Sequence, residues 1–235
     1  MLSRTRANLV HEARLSLYKL AGIQTAIDEQ ERRTLEDHMG FRGQWDEHRR
    51  FQLDFAKRMG LLKTSRLIEI GCGPLTLGLP AIEYLAPGGY IGIDVRPVVL
   101  NLGWQQIGKY KLAEKNPRLV CSRSFGAEEL PADLKADRMW SFSVLYHLTD
   151  DLIDQCLAQV ARRLAPGGAY IANINPQQAE STWLQFPFNA RSVSFYRSLA
   201  EKHGLKVTEL GTLESQGFKL EAIEKVNILL RFELA

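Results

Sequence analysis

The chain has 235 residues, 45% hydrophobic and 24% charged, with 30 Lys+Arg against 27 Asp+Glu and a net charge of +3. That composition belongs to a globular protein and excludes collagen-like, disulfide-dense and wholly disordered chains. Charges of both signs are interspersed, so there is no counterion-releasing footprint and no nucleic-acid partner is expected.

Residues 1–60 carry no strand pattern and are rich in Arg, Glu and Leu, so they read as an N-terminal helical extension or cap ahead of a second region, 61–235. His11, Glu12 and Arg14 interrupt the apolar residues before any signal-peptide core forms. Trp45, His48, Gln52, Phe55 and Met59 recur at spacings of three and four, which places them on one helix face. Either that face packs with its polar groups bonded inside the protein, or His48 and Gln52 reach a ligand.

From Arg66 the chain alternates short apolar runs with helical patterns: RLIEI, a Gly-rich loop, a helix and YIGID, the form of a βαβ unit. RLVCS (118–122), RMWSFSVL (138–145) and GAYIANI (168–174) read as further strands, with helices over 97–115 and 150–164 between them. Two Ala-Pro-Gly-Gly runs, 86–89 and 165–168, each stop a helix before a strand. Asp150 and Asp151 are expected to cap the helix that follows them. After a helix near 192–203, KVTELGTL and KVNILLRFEL form an antiparallel pair around a turn at Gln216-Gly217. No apolar run approaches the 18 or so residues of a membrane span. Cys72, Cys121 and Cys156 are too few and too dispersed for a disulfide framework or a four-ligand zinc site, so a reducing, cytoplasmic setting and no metal are expected.

The informative segment is Glu69-Ile-Gly71-Cys72-Gly73, followed by Tyr90-Ile-Gly-Ile-Asp94. Glycines at the carboxyl end of a strand let the backbone turn sharply and approach a ligand, where open α/β sheets bind nucleotides. Asp94, 21 residues beyond Gly73, ends the second strand and suits the two hydroxyls of a ribose. The G-x-G-x-x-G of dinucleotide binders is absent because Thr76 stands at its third glycine. Glu69 would repel a pyrophosphate and attract an ammonium or sulfonium charge. Adenosine with a cationic amino-acid tail is S-adenosylmethionine (SAM).

These residues, with Leu164-Ala-Pro-Gly-Gly168 before a strand, resemble motifs of the class I SAM-dependent methyltransferases. The resemblance implies an α/β fold with a Rossmann-like seven-stranded, mostly parallel sheet, helices on both faces and an antiparallel last strand. It implies SAM as cofactor, S-adenosylhomocysteine (SAH) as product, and contacts from Glu69, Gly71, Cys72, Gly73, Asp94 and Val95. Phe125 to Pro131 resembles the family's adenine-contacting loop, with Gly126 and Ala127 at the contact. The acid usual at the Gly126 position is missing, so the Ala127 backbone or the Phe125 ring takes its place. Asp137 to His147 resembles the fourth strand and its exit, with Ser141 and Phe142 facing the methionine end and His147 the methyl group. The Asn-Pro-Pro-Tyr type of motif of nucleic-acid amino-group methylases is absent there; Asn175-Pro-Gln-Gln178 follows the fifth strand instead.

His147 has the residue type for a general base on a hydroxyl acceptor, or it only shapes the pocket. Cys72 between two glycines reads as packing. Tryptophans at positions like 104 and 140 are more often core than cofactor residues, and no role is assigned to Trp104 or Trp140. The sixteen-residue segment Pro176 to Arg191, with Trp183, Phe186 and Phe188, is either a substrate-facing lid or a packed surface loop. His48, Gln52, Tyr146, Trp183 and Phe186 are the candidate acceptor contacts. The expected partner is a small molecule or a glycan or lipid precursor, methylated at oxygen. A catalytically inactive SAM-binding scaffold and a nucleotide-linked oxidoreductase are the rival readings.

Overall fold

A computed structural model describes residues 45–177, 181–183, 186–219 and 226–235, with backbone alone at 181–183 and 186. The extension expected over 1–60 therefore lies largely outside the described residues. Residues Asp46–Ala235 form one compact unit.

A seven-stranded sheet has the order β3-β2-β1-β4-β5-β9-β8. Its strands are β1 (Leu67–Ile70), β2 (Tyr90–Asp94), β3 (Arg118–Cys121), β4 (Ala136–Ser141), β5 (Leu164–Ile174), β8 (Leu205–Thr212) and β9 (Ile228–Leu234). The first five pair in parallel; β9 runs antiparallel between β5 and β8. β1 and β2 are buried along their whole length, which explains why they read as near-continuous apolar runs.

Alternation along the strands gives the sheet two unlike faces. Ile68, Ile70, Ile91, Ile93, Met139, Tyr170, Ala172, Ile174 and Phe232 join Ile153, Cys156 and Leu157 of α4 (Asp150–Arg163) and Tyr196 and Leu199 of α5 (Val193–Glu201) in one core. The opposite face carries Glu69, Tyr90 and Trp140, with α1 (Trp45–Arg58), α2 (Gly78–Tyr84) and α3 (Pro97–Lys109). Ring contacts dock α1 there: Phe55 lies edge-on to Trp140 at 5.7 Å. Trp104 is 43% exposed on α3.

Helix ends follow their local chemistry. α4 is capped by Thr149, whose Oγ1 accepts from Leu152 N, rather than by the expected Asp150 and Asp151. Those acids occupy its first turn, where they oppose the helix dipole, and Asp150 also pairs with Arg191 at 2.6 Å. Ser192 caps α5 in the same manner. Leu164 pairs with Ala136 before the register resumes at Arg138 and Ala169, so the second Ala-Pro-Gly-Gly run is a bulge inside β5 rather than a break before it. The predicted loop 176–191 contains a short antiparallel hairpin, β6 (Ser181–Trp183) with β7 (Phe186–Phe188).

After β3 the chain returns to the other side of β1 to form β4, so strand order reverses between β1 and β4. In open α/β sheets the crevice beyond the strand ends at such a switch is where ligands bind.

Candidate active site at the strand-order switch

The loop after β1 folds back on β2: Gly71 N and Cys72 N both donate to Ile93 O, at 2.7 and 3.0 Å. Gly71 and Gly73 have φ of +72° and +51°, and a Cβ on Gly71 would lie 2.3 Å from Val144 Cγ2. Only glycine fits there, because the exit of β4 comes that close. Cys72 is buried, its pKa pushed up by burial and by Glu69 and Asp94; it packs toward Gly92 and is no nucleophile.

Asp94 is 5% exposed. Its Oδ2 accepts from Gly73 N at 2.9 Å; its Oδ1 accepts from Arg96 N at 2.9 Å and from Arg96 Nε at 3.4 Å. A carboxylate offers about four acceptor positions, so a vicinal diol can be taken if the long Arg96 Nε bond gives way. The carboxylate also ties the Gly loop to β2.

Glu69 accepts a hydrogen bond from Tyr90 at 2.5 Å, and a Cβ on Gly78 would strike that phenol oxygen. Burial raises the Glu69 pKa to about 8, opposed by the Tyr90 hydrogen bond and reinforced by Asp94. The expectation of a standing negative charge is therefore corrected: near neutral pH, without a ligand, this carboxyl is mostly protonated. A cationic group brought beside it would favour its ionised form.

Leu75 and Tyr90 were not singled out from the sequence. Leu75 is fully buried with φ +68°, a conformation that costs roughly 1–2 kcal/mol for an L-residue. Its side chain fills space bounded by Gly78 and Gly103, whose added Cβ atoms would come within 2.6 and 3.1 Å of it. Glycines at 78 and 103 were the available signal.

The loop after β3 is also built around left-handed residues, Phe125 (φ +55°) and Gly126 (φ +81°). Ser122 Oγ accepts from Ser124 N and Gly126 N. Arg163, buried at the end of α4, donates to Gly126 O at 2.7 Å and Pro131 O at 3.0 Å. The Phe125 ring belongs to the core on the α4–α5 face, which leaves the half-buried Ala127 and the 43% exposed Val95 as the accessible members of the expected adenine region.

Beyond β4, Ser141 departs from its expected orientation: its side chain lies on the α4–α5 face, where Oγ accepts from Tyr170 at 2.7 Å. Phe142 points to the other face, 5.0 Å edge-on from His48 and 6.2 Å from Phe218. Trp140 Nε1 donates to Gln52 Oε1 at 3.0 Å, leaving the Gln52 amide nitrogen to donate to His48 Nε2 at 3.0 Å. Both α1 residues are 1% exposed, and burial lowers the His48 pKa to about 3. Of the two readings of that helix face, the internally bonded one describes this chain of contacts.

Ser143 has φ +58° and donates its N–H to Asn173 Oδ1 at 2.6 Å. A single 3-10 turn, Leu145–His147, follows. His147 Nδ1 lies 2.8 Å from Pro187 O on β7, and Tyr146 stacks on Phe188 at 4.4 Å. Asn189 N donates to Tyr146 O, so the hairpin is fastened to the β4 exit. Trp183 and Phe186 are partners in that hairpin; their side chains lie outside the described residues. The carbonyl of Pro187 requires a proton on Nδ1, which puts the lone pair on Nε2. Burial lowers the His147 pKa, the Pro187 bond opposes this, and the Arg96 charge lowers it further, a net shift that favours the neutral ring.

The residues around the Gly loop fit a SAM-type group: an acid at the end of β2, a second carboxyl that a cation would ionise, and Thr76 Oγ1 buried without a partner beside them. Among the described residues no cluster of three or more His, Cys, Asp or Glu could hold a metal, and no helix is long and apolar enough to cross a membrane.

A family model described as "Methyltransferase domain" matches residues 68–170. A Schizosaccharomyces pombe protein described as "Uncharacterized methyltransferase C1B3.06c" is 31% identical over 110 residues, 45% of this chain. The match spans 38% of that relative's length. Among solved structures, the CcbJ methyltransferase of Streptomyces caelestis has a TM-score of 0.62 at 11% identity, over 80% of this chain and 89% of that one. Magnesium protoporphyrin IX methyltransferase of Synechocystis PCC 6803 with bound SAM has 0.60 at 13%, over 80% and 79%. The glycopeptide N-methyltransferase MtfA complexed with SAH has 0.61 at 14%, over 80% and 90%. At such identities the structural likeness speaks for the fold, and the matched segment carries the Gly loop and the β2 acid in their expected places. Residues 68–170 thus match a methyltransferase domain, and the fold is the class I, Rossmann-like fold of SAM-dependent methyltransferases.

Proposed function

We propose that the chain transfers a methyl group from SAM to an oxygen atom of a small-molecule acceptor, with His147 as general base. The observation that carries this reading is a histidine anchored through Nδ1 on Pro187 at the exit of β4, the strand beside the Gly loop. When bound, SAM supplies a methyl group on a sulfonium that leaves as a neutral thioether. Asp94 would take the ribose hydroxyls, and Glu69, ionised by the incoming cation, would face the amino-acid end. The His147 Nε2 accepts the acceptor's hydroxyl proton as oxygen attacks the methyl carbon, so the oxygen enters as an alkoxide-like nucleophile. The β6–β7 hairpin and Tyr146 hold the histidine and exclude water from the exit of β4. An acceptor free in a reducing, cytoplasmic compartment is consistent with three unpaired cysteines.

The first test is calorimetric titration with SAM and SAH, followed by turnover over a panel of hydroxyl-bearing acceptors. His147→Ala is expected to lower turnover by ~100-fold or more, the usual scale for a positioned base, with SAH affinity unchanged. Unchanged turnover would remove the base role, and SAH binding without turnover in the wild type would favour a non-catalytic SAM-binding protein.

A further inference from the structure

A group of buried polar atoms on the acceptor side has no partner inside the protein. Asn173 and Asn227 are 1% and 0% exposed, yet Asn173 Nδ2 and both side-chain polar atoms of Asn227 make no hydrogen bond, nor does the buried Ser143 Oγ. Buried polar atoms are almost always satisfied, and those left open at a strand-end crevice mark a ligand's place.

Topology brings these atoms together. Ser143 is bonded to Asn173 through its own N–H. Asn173 pairs across β5 and β9 with Leu229, and Ile174 with Ile228. Asn227 alternates with Ile228 and so shares the face of Leu229 and Asn173. That is also the face of Trp140 and Phe142, since Trp140 sits beside Ile171 in register. Asn227 O accepts from Leu213 N, closing the turn that carries Phe218; Phe218 N in turn donates to Leu213 O. Phe142 precedes Ser143, and the two phenyl rings lie 6.2 Å apart, with Phe51 edge-on to Phe218 at 4.9 Å. Val144, next to Ser143, touches the loop at Gly71, so the open atoms lie at the reacting end.

We propose that Asn173, Asn227 and Ser143 form the acceptor subsite, and that it takes an uncharged aryl group bearing hydroxyl or carbonyl oxygens. This deepens the methyltransferase reading and rests on it. The open set is rich in N–H donors with a hydroxyl and one amide oxygen, which matches oxygen atoms. It offers no charge, so a carboxylate or ammonium would lose its hydration without an opposite partner. Of the charged and titratable groups on this face, His48 is bonded to Gln52 and Glu69 to Tyr90, while Arg138 donates to Met59 O and Arg231 pairs with Glu233 further along the strands. Phe142 and Phe218 supply aromatic surface for the ring.

The test uses the full chain saturated with SAH, titrated with 4-hydroxybenzamide, 4-hydroxybenzoate and 4-hydroxybenzylamine by protein-observed NMR. The neutral amide is expected to bind at least tenfold more tightly than either charged analogue. Asn227→Leu and Ser143→Ala are each expected to weaken it at least tenfold while SAH affinity stays within about twofold. Equal binding of the amide in both variants, no preference for it over the charged probes, or an SAH-loaded wild type that binds none of the three would overturn the subsite. Failure of the wild type to bind SAH would instead break the methyltransferase reading, and the subsite with it.

Discussion

The half of the sheet built from β1, β2 and β3 and the half built from β4, β5 and β9 form their sites from different kinds of sequence. In the first, Glu69, the Gly71–Gly73 loop and Asp94 come from one βαβ unit, and the backbone bonds them together directly: Gly71 to Ile93, Gly73 to Asp94. In the second, Ser143, Asn173, Pro187 and Asn227 come from four separated segments that only the folded sheet brings together. The cofactor half has nearly every polar group tied internally, while the acceptor half leaves buried amides open. On the proposed reading, the first half holds SAM and the second the acceptor.

The largest effect expected on the cofactor half comes from Asp94→Ala. Two hydrogen bonds to an ionised carboxylate are worth roughly 1.5–3 kcal/mol each, so SAH affinity should fall by at least ~100-fold in calorimetry. Asp94→Asn, which keeps one acceptor oxygen, should lose about tenfold. Wild-type affinity in Asp94→Ala would mean that the nucleoside is not held at the end of β2, and the two halves would have to exchange roles.

A smaller effect concerns protons. With the Glu69 pKa near 8 in the free protein and a cation favouring the ionised form, SAM binding must release a proton below pH 8. Affinity should rise with pH by up to about tenfold per unit until pH 8 and then level off. The binding enthalpy at pH 7 should vary with the ionisation enthalpy of the buffer, and Glu69→Gln should abolish both effects. Stability runs the other way. A carboxyl whose folded pKa is raised above its unfolded value contributes stability that is fully present below about pH 4.5 and is lost as pH rises toward 8. The ligand-free protein should therefore weaken across that window, by up to about 1.4 kcal/mol per unit. Urea titrations at pH 5 and 8 check the sign, since Glu69→Gln should flatten the difference.

What was readable in advance follows the same division. The succession of strands and helices, the Gly loop, Asp94 at a strand end and the terminal antiparallel strand depend on periodicity and local turn chemistry, which one sequence displays. Ser141 was misplaced because its face is set by the β4–β5 register, which brings Tyr170 onto its hydroxyl. Thr149 outcompeted Asp150 as the cap because Arg191, distant in sequence, claims the aspartate. The charge state of Glu69 needed the burial that only the fold supplies. Asn173 and Asn227 carried no motif; their meaning comes from neighbouring strands and from having nothing to bond.

Arg163 offers the smallest but most discriminating test of the comparison, because it belongs to α4 yet acts on the loop after β3. Its guanidinium binds Gly126 O and Pro131 O, the two ends of the expected adenine loop, from a fully buried position at a helix C-terminus that favours a cation. Burial and Arg162 both lower its pKa, so the charge is held at some cost, offset by bonds to two carbonyls that also accept from Leu130 N and Leu134 N. Arg163→Met keeps much of the stem's volume and removes two charge-assisted bonds, while Leu130 N and Leu134 N still donate to the carbonyls, at a cost of about 1–3 kcal/mol. The melting temperature should fall by several degrees, and SAH affinity by ~3–10-fold as the loop loses its clamp. Binding of 4-hydroxybenzamide to the SAH-saturated protein should hold within about twofold, because none of Ser143, Asn173 or Asn227 is bonded to that loop. If the amide weakened in step with SAH, the halves would be coupled through α4, and the division between a general cofactor site and a particular acceptor site would be energetic as well as structural only in part.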